Sequence, residues 1–347
     1  MALCKLSGVR LAGLATSVPK RCIDNFTDVP PSKREERERL ARNIGVAKRR
    51  LAEPWQCFSD MAFDAAEQLI RDLRWDKSEI DALIVITQSP DYRLPSTAII
   101  LQDRLGLGTG TIAYDVNLGC SAYPYGLHLL GSLISTGAVK KGLLLVGDKS
   151  ASPMEPLFSD AATVTGLEFD PDAADMLFGL NSDGSGYETI ILKVGGGREP
   201  FLPHHFIPSS DPDEPVLLKY PHELQMNGPA VLNFSIQRVP EAVNDLIDYA
   251  GISLDDVDYF LFHQANNMIN NTIKKKLKLD DSRVPMSLED FGNTSGATIP
   301  VTMTVRLGDV ISGGKNKLLM CGFGVGLSWG SCLIDVENAV VSSLIEV

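Results

Sequence analysis

Apolar residues along this chain fall in short unbroken runs, separated by stretches in which they recur every three or four positions. The runs 81–87 (DALIVIT), 111–116 (TIAYDV), 142–147 (GLLLVG), 257–262 (VDYFLF) and 317–322 (KLLMCG) read as buried strands. Between them the period is helical. Ala62, Ala65, Ala66, Leu69, Ile70 and Leu73 form one stripe, with Ser59 and Asp60 ahead of it as N-cap candidates. Ser32 and Glu35 form a capping-box pattern before a charged helix over 33–43. Alternation of this kind predicts an α/β fold.

The pattern also repeats. Residues 69–86 match 246–263 at an offset of 177, which lays Leu69-Ile70 on Leu246-Ile247 and Ile80-Asp81 on Val257-Asp258. Ile134-Ser135 with Gly137 likewise matches Ile311-Ser312 with Gly314, and each leads into a buried strand. An offset near half the chain length predicts two similar halves, 1–170 and 171–347, meeting in the polar stretch 168–185. Residues 195–228, rich in Gly, Pro and His, read as a loop insertion in the second half and a candidate lid over a pocket.

Composition narrows the function. The 347 residues carry a net charge of −12, 44% are hydrophobic and 22% charged, which suits a water-soluble chain of about two domains. So acidic a chain is a poor nucleic-acid binder, because phosphate contacts need clustered Lys and Arg. No apolar run approaches the ~20 residues that span a bilayer, and residues 1–20 lack a basic region followed by a long apolar stretch. The six cysteines contain no C-x-x-C pair. The expectation is a reduced, cytoplasmic protein with no bound metal.

Three residues stand where chemistry is placed in such folds. Cys120, in DVNLGCSAYPYGL, follows a strand and precedes the helical pattern Leu127, Leu129, Leu130, Leu133 and Ile134. A helix N-terminus there stabilises a thiolate, so the thiol is expected to fall below its usual pKa of ~8.5; a lone cysteine is equally a common core residue. His263 closes a buried strand, and catalytic groups gather at the carboxyl ends of strands in open α/β sheets; a hydrogen-bonded core histidine fits the same position. Asn293, in FGNTSGATIP, opens the helical pattern Val301–Leu307 and corresponds in the repeat to the Gly119–Ala122 turn. Two such helix starts facing each other would share one cavity, although Asn in a Gly-rich turn is commonly structural. Gly326-Leu327-Ser328-Trp329-Gly330 matches G-x-S-x-G, but no histidine follows Ser328 and a strand-like run follows it, so an α/β-hydrolase reading fails. A Walker A sequence is absent, and His204-His205 lacks a spaced third metal ligand.

Taken together, GCSAYPYGL around Cys120, HQAN at 263–266, GNTSGATIP around Asn293 and GFGVGLSWG at 322–330 resemble the β-ketoacyl-acyl-carrier-protein synthase III family of the thiolase superfamily. The resemblance extends to NIGVAKRRLA at 43–52, SPDYRLPST at 89–97 and MNGPAVLNF at 226–234. It implies five αβαβα layers, duplicated halves and a homodimer. It also implies a mechanism without a cofactor, in which CoA and phosphopantetheine thioesters are substrates. Cys120 would be acylated by an acyl-CoA or acyl-carrier-protein primer. His263 and Asn293 would stabilise the enolate left when malonyl-acyl-carrier protein loses CO₂, and N–H groups of Cys120 and the Gly324–Val325 turn would hold the oxyanion.

Departures from the family pattern point to a specialised member. Val325 replaces a glycine and predicts a narrower turn. Met268 and Asn233 replace basic residues, and the usual N-terminal tryptophan has no counterpart. Asn266, Lys275, Arg37 and Arg42 are the remaining candidates for binding the substrate or its acidic carrier, with Lys274, Lys276, Lys278, Arg34 and Arg39 around them. Cys321, beside the Gly-rich turn, reads as a strand residue and not as a second, thiolase-type nucleophile. Gln88 stands where a hydroxymethylglutaryl-CoA synthase needs glutamate. Two alternatives stay open at this level: a non-condensing acyltransferase passing the Cys120-bound acyl group to oxygen or nitrogen, and a non-catalytic partner subunit.

Overall fold

The computed structural model describes residues 2–29, 32, 34–153, 155–200 and 224–347. The first half runs β1 (Ala2–Leu6), β2 (Val9–Val18), β3 (Cys22–Asp24), α1 (Arg34–Ile44), β4 (Lys48–Arg50), α2 (Phe58–Leu73), β5 (Ala82–Ile86), α3 (Thr97–Arg104), β6 (Ile112–Val116), α4 (Ala122–Ser135), β7 (Lys141–Asp148) and β8 (Ala161–Phe169). The second runs β9 (Met176–Ser182), β10 (Ile190–Ile191), β11 (Gln225–Met226), α5 (Gly228–Ala250), β12 (Tyr259–Phe262), α6 (Asn267–Leu277), α7 (Leu288–Phe291), α8 (Thr298–Ser312), β13 (Lys315–Gly324) and β14 (Ser328–Glu337). It ends in β15 (Val340–Val341) and β16 (Ile345–Glu346).

Two large sheets carry the duplication. One has the order β15-β2-β8-β7-β5-β6, with β16 also on β2, and the other β1-β9-β14-β13-β12. Strands β2-β8-β7-β5 match β9-β14-β13-β12 in sense as well as order: antiparallel, antiparallel, then parallel. Each segment of the predicted division also lends strands to the other's sheet. β1 pairs with β9, and β15 and β16 pair with β2. The stretch 168–185, read as a polar boundary, contains β9, whose Met176 and Phe178 are buried.

Period-two alternation sends successive side chains into different layers. From β5, Leu83 and Val85 face outward onto α2 and α3, against Phe58, Met61, Ala65 and Leu101. Ile84 and Ile86 face inward onto α4 and α8, where Leu127, Leu130, Met303 and Leu307 also meet Leu318 and Met320 of the second sheet. On the far side, α5 and α6 bring Val239, Val243, Leu246 and Ile273 against Phe260 and Leu319. The result is five layers, αβαβα, in which β5 is buried on both faces, as a parallel strand requires. Each fully buried Leu or Ile contributes about 2 kcal/mol.

Some boundaries differ from the sequence reading. The N-cap of α2 is Cys57; Asp60 sits at the third helical position and accepts the Cys57 N–H at 2.8 Å. The insertion read over 195–228 lies largely outside the described residues. Its end is already β11 and the start of α5, where the Asn227 side chain accepts the Ala230 N–H at 3.1 Å. His204 and His205 lie outside the described residues.

Candidate active site

Cys120 lies in the turn between β6 and α4, one residue ahead of the N-cap Ser121. The end of β13 and the turn after it approach from the opposite sheet. An added Cβ on Gly324 would stand 2.7 Å from Cys120 Cβ and 2.9 Å from Sγ. The N–H of Val325 and that of Cys120 itself point at the sulfur. Ser121 Oγ and Ser328 Oγ are 2.7 Å apart, and Ser328 donates to the Val325 carbonyl at 2.8 Å. These two hydroxyls tie the nucleophile turn to the turn that carries the second N–H. The serine of G-x-S-x-G is thus spent on structure. Val325 packs on the Cys120 turn, since its Cγ1 lies 2.8 Å from where a Cβ on Gly119 would be.

The start of α8 faces the start of α4, as the repeat predicts. A Cβ on Gly296 would meet Ala122 Cβ at 2.9 Å and the Gly119 carbonyl at 3.0 Å. Asn293 enters this junction with its backbone clamped: its N–H donates to the Leu157 carbonyl at 2.9 Å and its carbonyl accepts from Ser159 N–H at 3.0 Å. Its Oδ1 accepts the Ser295 N–H at 2.9 Å, while Nδ2 makes only a long 3.4 Å contact to the Ala265 carbonyl. A side chain anchored through its acceptor keeps its donor available for a ligand.

His263 follows β12 and is 2% exposed. Its N–H donates to the Cys321 carbonyl at 2.9 Å, and Asn270 Nδ2 donates to its carbonyl at 2.9 Å. Nδ1 lies 2.8 Å from Thr298 Oγ1, the ring is edge-on to Phe323 at 5.4 Å, and it also reaches the backbone of Ser295. Burial pulls its pKa from 6.5 down to about 3, so the ring is neutral. A neutral imidazole held from one side donates or accepts one hydrogen bond at the other.

The buried ring has a consequence for stability. Its folded pKa lies below the unfolded value of 6.5, so its contribution is whole above 6.5 and is lost as pH falls toward about 3, where the unfolded chain takes up a proton that the folded chain refuses. Chemical-denaturation midpoints measured across that window should fall more steeply for the wild type than for His263→Gln; equal slopes would contradict it.

Ser295 links all three residues, and sequence reasoning missed it. It adopts φ 54°, a left-handed conformation unusual for a residue with a side chain. Its N–H donates to Asn293 Oδ1 at 2.9 Å, its backbone contacts His263, and its side chain lies on the side of Cys120 and the buried carboxyl of Asp148. Its place in an Asn-x-Ser-Gly turn was the available signal. Thr298, which orients His263, and Asp148 left no comparable mark.

The Cys120 thiol departs from the expected lowering: desolvation, with the negative charge of Asp148 adding to it, pushes it up to about 12 against the N–H groups of Val325 and Cys120, while the residue keeps part of its surface exposed. The resting group is a thiol, and acylation must move its proton. Gly324→Ala puts a methyl against this sulfur. Acyl-adduct formation should slow at least about tenfold with modest loss of stability, because overpacking typically costs 1–3 kcal/mol; an unchanged rate would show the turn to be slack.

The carrier-binding candidates separate. Asn266 is used as the N-cap of α6, accepting the Ile269 N–H at 2.9 Å. Arg37 is half-buried on α1, where burial lowers its pKa against the opposing charges of Glu155 and Glu36. Lys275 is exposed on α6. Arg42 is exposed at the end of α1, over the Phe26 ring and 3.8 Å from Glu38. The two basic runs adjoin, since Gly45 after α1 packs on Asn267 of α6. Cys321 is fully buried among Phe260, Phe262 and Leu319 on the far face of the second sheet, where burial raises its thiol pKa. No helix among the described residues is long and apolar enough to cross a membrane.

Residues 247–336 match the family model of the 3-oxoacyl-[acyl-carrier-protein] synthase III C-terminal region. The chain is 31% identical to a β-ketoacyl-[acyl-carrier-protein] synthase III of Rhodopirellula baltica, covering 94% of this chain and 98% of that one. It is 31% identical to a β-ketoacyl-[acyl-carrier-protein] synthase III of Streptococcus gordonii, covering 94% and 99%. Among solved structures, a 3-oxoacyl-(acyl-carrier protein) synthase from Burkholderia xenovorans LB400 superposes with a TM-score of 0.90 at 37% identity, covering 100% of this chain and 99% of that one. With its duplicated five-layer fold and a cysteine, a histidine and an asparagine converging on one turn, the chain belongs to the β-ketoacyl-acyl-carrier-protein synthase III family.

Proposed function

We propose that Cys120 is acylated by a thioester and that the acyl group is then condensed with malonyl-acyl-carrier protein or malonyl-CoA, with loss of CO₂. The observation that carries this reading is the convergence of Cys120, His263 and Asn293 around the Ser295 turn. In the first half-reaction the Cys120 sulfur attacks the thioester carbonyl, the N–H groups of Cys120 and Val325 hold the oxyanion, and the carrier thiol departs. In the second, the malonyl carboxylate leaves as CO₂, and its electron pair moves onto the thioester oxygen. That enolate accepts hydrogen bonds from His263 and Asn293 Nδ2. Its carbon attacks the acyl-cysteine, releases the Cys120 sulfur and gives a β-ketoacyl thioester. A neutral histidine suits this task, because it donates a hydrogen bond without protonating the carbanion's precursor.

Incubation with a panel of acyl-CoA and acyl-carrier-protein thioesters, followed by intact-mass spectrometry, should show one adduct that maps to Cys120. Addition of malonyl thioester should discharge it with release of CO₂. Absence of any adduct would overturn the reading, and an adduct that discharges only onto alcohols or amines would replace it by non-condensing transfer. The acidic carrier would dock on the face shared by α1 and α6, which carry the exposed Arg42 and Lys275. We extend the proposal to a homodimer: β6 is the open edge of its sheet, with Ile112 exposed on it and Leu94 exposed in the nearby 89–97 loop. Sedimentation as a monomer at working concentration would remove that part.

A further inference from the structure

The backbone of Asn293 is held by a stretch of chain with no helix or strand of its own. Between β7 and β8, the described residues from Ser152 to Phe158 lie in a loop. At its end the Leu157 carbonyl accepts the Asn293 N–H at 2.9 Å, and the Ser159 N–H returns to the Asn293 carbonyl at 3.0 Å. Side chains fix this loop where backbone pairing does not. Arg49, at the centre of β4, reaches into it: Nη1 donates to the carbonyls of Ser152 at 2.9 Å and Phe158 at 3.3 Å, and Nη2 to that of Pro153 at 3.4 Å. Its Nε donates to Asn25 Oδ1 at 2.9 Å, and Asn25 Nδ2 in turn donates to the carbonyls of Pro156 at 2.9 Å and Val46 at 3.1 Å. Glu155 closes the loop on itself, accepting the N–H groups of Leu157 at 2.9 Å and Phe158 at 2.7 Å.

Arg49 is 0% exposed, yet each of its hydrogen bonds goes to a neutral oxygen. The Asp160 carboxylate is turned instead onto the N–H groups of Ala52, Ser150 and Ala151, each at 2.8 Å. Burying a cation without a paired carboxylate is costly, and a well-packed apolar side chain would serve stability as well. What an apolar side chain cannot do is gather carbonyls from an irregular loop, which the planar fork of a guanidinium does. The Arg49 stem also underlies the second partner of the contact. A Cβ on Gly292, which has φ 61°, would stand 2.9 Å from the Leu157 oxygen and 3.4 Å from Arg49 Cγ. We propose that Arg49 is a positioning residue: it holds the 152–158 loop against the Asn293 backbone and so aims the Asn293 Nδ2 donor. What that donor serves, the malonyl thioester, rests on the condensing reading. The two N–H groups at the Cys120 sulfur come from Cys120 and Val325, outside this chain of contacts.

The test is a double-mutant cycle of Arg49→Lys with Asn293→Ala, read as single-turnover acylation of Cys120 and as CO₂ release from malonyl thioester. Lysine keeps the charge and loses the fork. Arg49→Lys should slow CO₂ release at least about tenfold and change acylation less than about twofold, because only the donor to the developing oxyanion is displaced. In the Asn293→Ala background the same substitution should slow CO₂ release by less than about twofold, since residues that act through one another are not additive. A full effect in that background, or equal losses in both steps, means that Arg49 supports the fold at large and overturns the proposal. Should Arg49→Lys fail to fold, Arg49→Gln, which buries no charge, is read in the same way. Amide hydrogen exchange followed by peptide mass spectrometry needs no substrate. In the variant, peptides covering 288–296 should exchange at least about tenfold faster while those of α4 keep the wild-type rate; unchanged exchange at 288–296 overturns the proposal. A wild type that is acylated but never releases CO₂ removes the condensing reading, and the exchange result then decides the role of Arg49 alone.

Discussion

Serine at position 120 is expected to abolish the covalent acyl-enzyme and lower condensation by about 10⁴-fold or more, on the scale seen when nucleophiles are removed from catalytic sets that act as a unit. The reason is local. The site supplies two N–H groups at the sulfur, from Val325 and Cys120, yet desolvation and the charge of Asp148 still push the thiol up to about 12. An alcohol is a far weaker acid and a poorer nucleophile than a thiol, and nothing in the site compensates. The smaller oxygen leaves the packing against Gly324 intact, so the melting temperature should stay near that of the wild type. Intact-mass spectrometry with the thioester that loads the wild type reads the result directly. An adduct of equal yield on the serine variant would mean that another residue carries the acyl group.

Asn293→Ala is expected to slow CO₂ release from malonyl thioester by about 10²–10³-fold, the usual cost of losing one preorganised donor to a developing oxyanion, or about 2.7–4 kcal/mol. Acylation should change little. The backbone bonds of Asn293 to Leu157 and Ser159 do not involve its side chain, and neither N–H at the Cys120 sulfur comes from this turn. The alanine does remove the acceptor that holds the Ser295 N–H at 2.9 Å, so Asn293→Asp is the companion variant. It keeps an acceptor for Ser295 and replaces the Nδ2 donor by a negative charge where negative charge develops. Decarboxylation should fall at least as far. Single-turnover acylation and CO₂ release measured on the same preparations separate the steps. If both fall together, Asn293 builds the cavity and does not act on the malonyl thioester.

Much of this protein can be read from one strand of text. The runs DALIVIT and GLLLVG become β5 and β7, VDYFLF and KLLMCG become β12 and β13, and the offset of 177 reappears as two sheets with matching strand order. Those features are local or periodic, and backbone hydrogen bonding with apolar burial makes local pattern and final element agree. Cys120, His263 and Asn293 were legible because each stands where a strand ends or a helix begins.

What the text could not carry depends on residues far apart in it. A helix start beside Cys120 predicts a lowered thiol pKa; desolvation in the folded chain and the charge of Asp148 push it up instead. Arg37 reads as a surface cation, whereas the fold half-buries it and places the charge of Glu155, more than a hundred positions away, within its electrostatic reach. Ser295 reads as a turn residue until the sheets stack and bring Asp148, Cys120, His263 and Asn293 to it. The sequence alone thus determined the elements, their duplication and the three candidate residues, because period and position encode them. Only the tertiary structure decided their ionisation and their common hub, because desolvation and hydrogen bonding are set by neighbours that the chain order does not name.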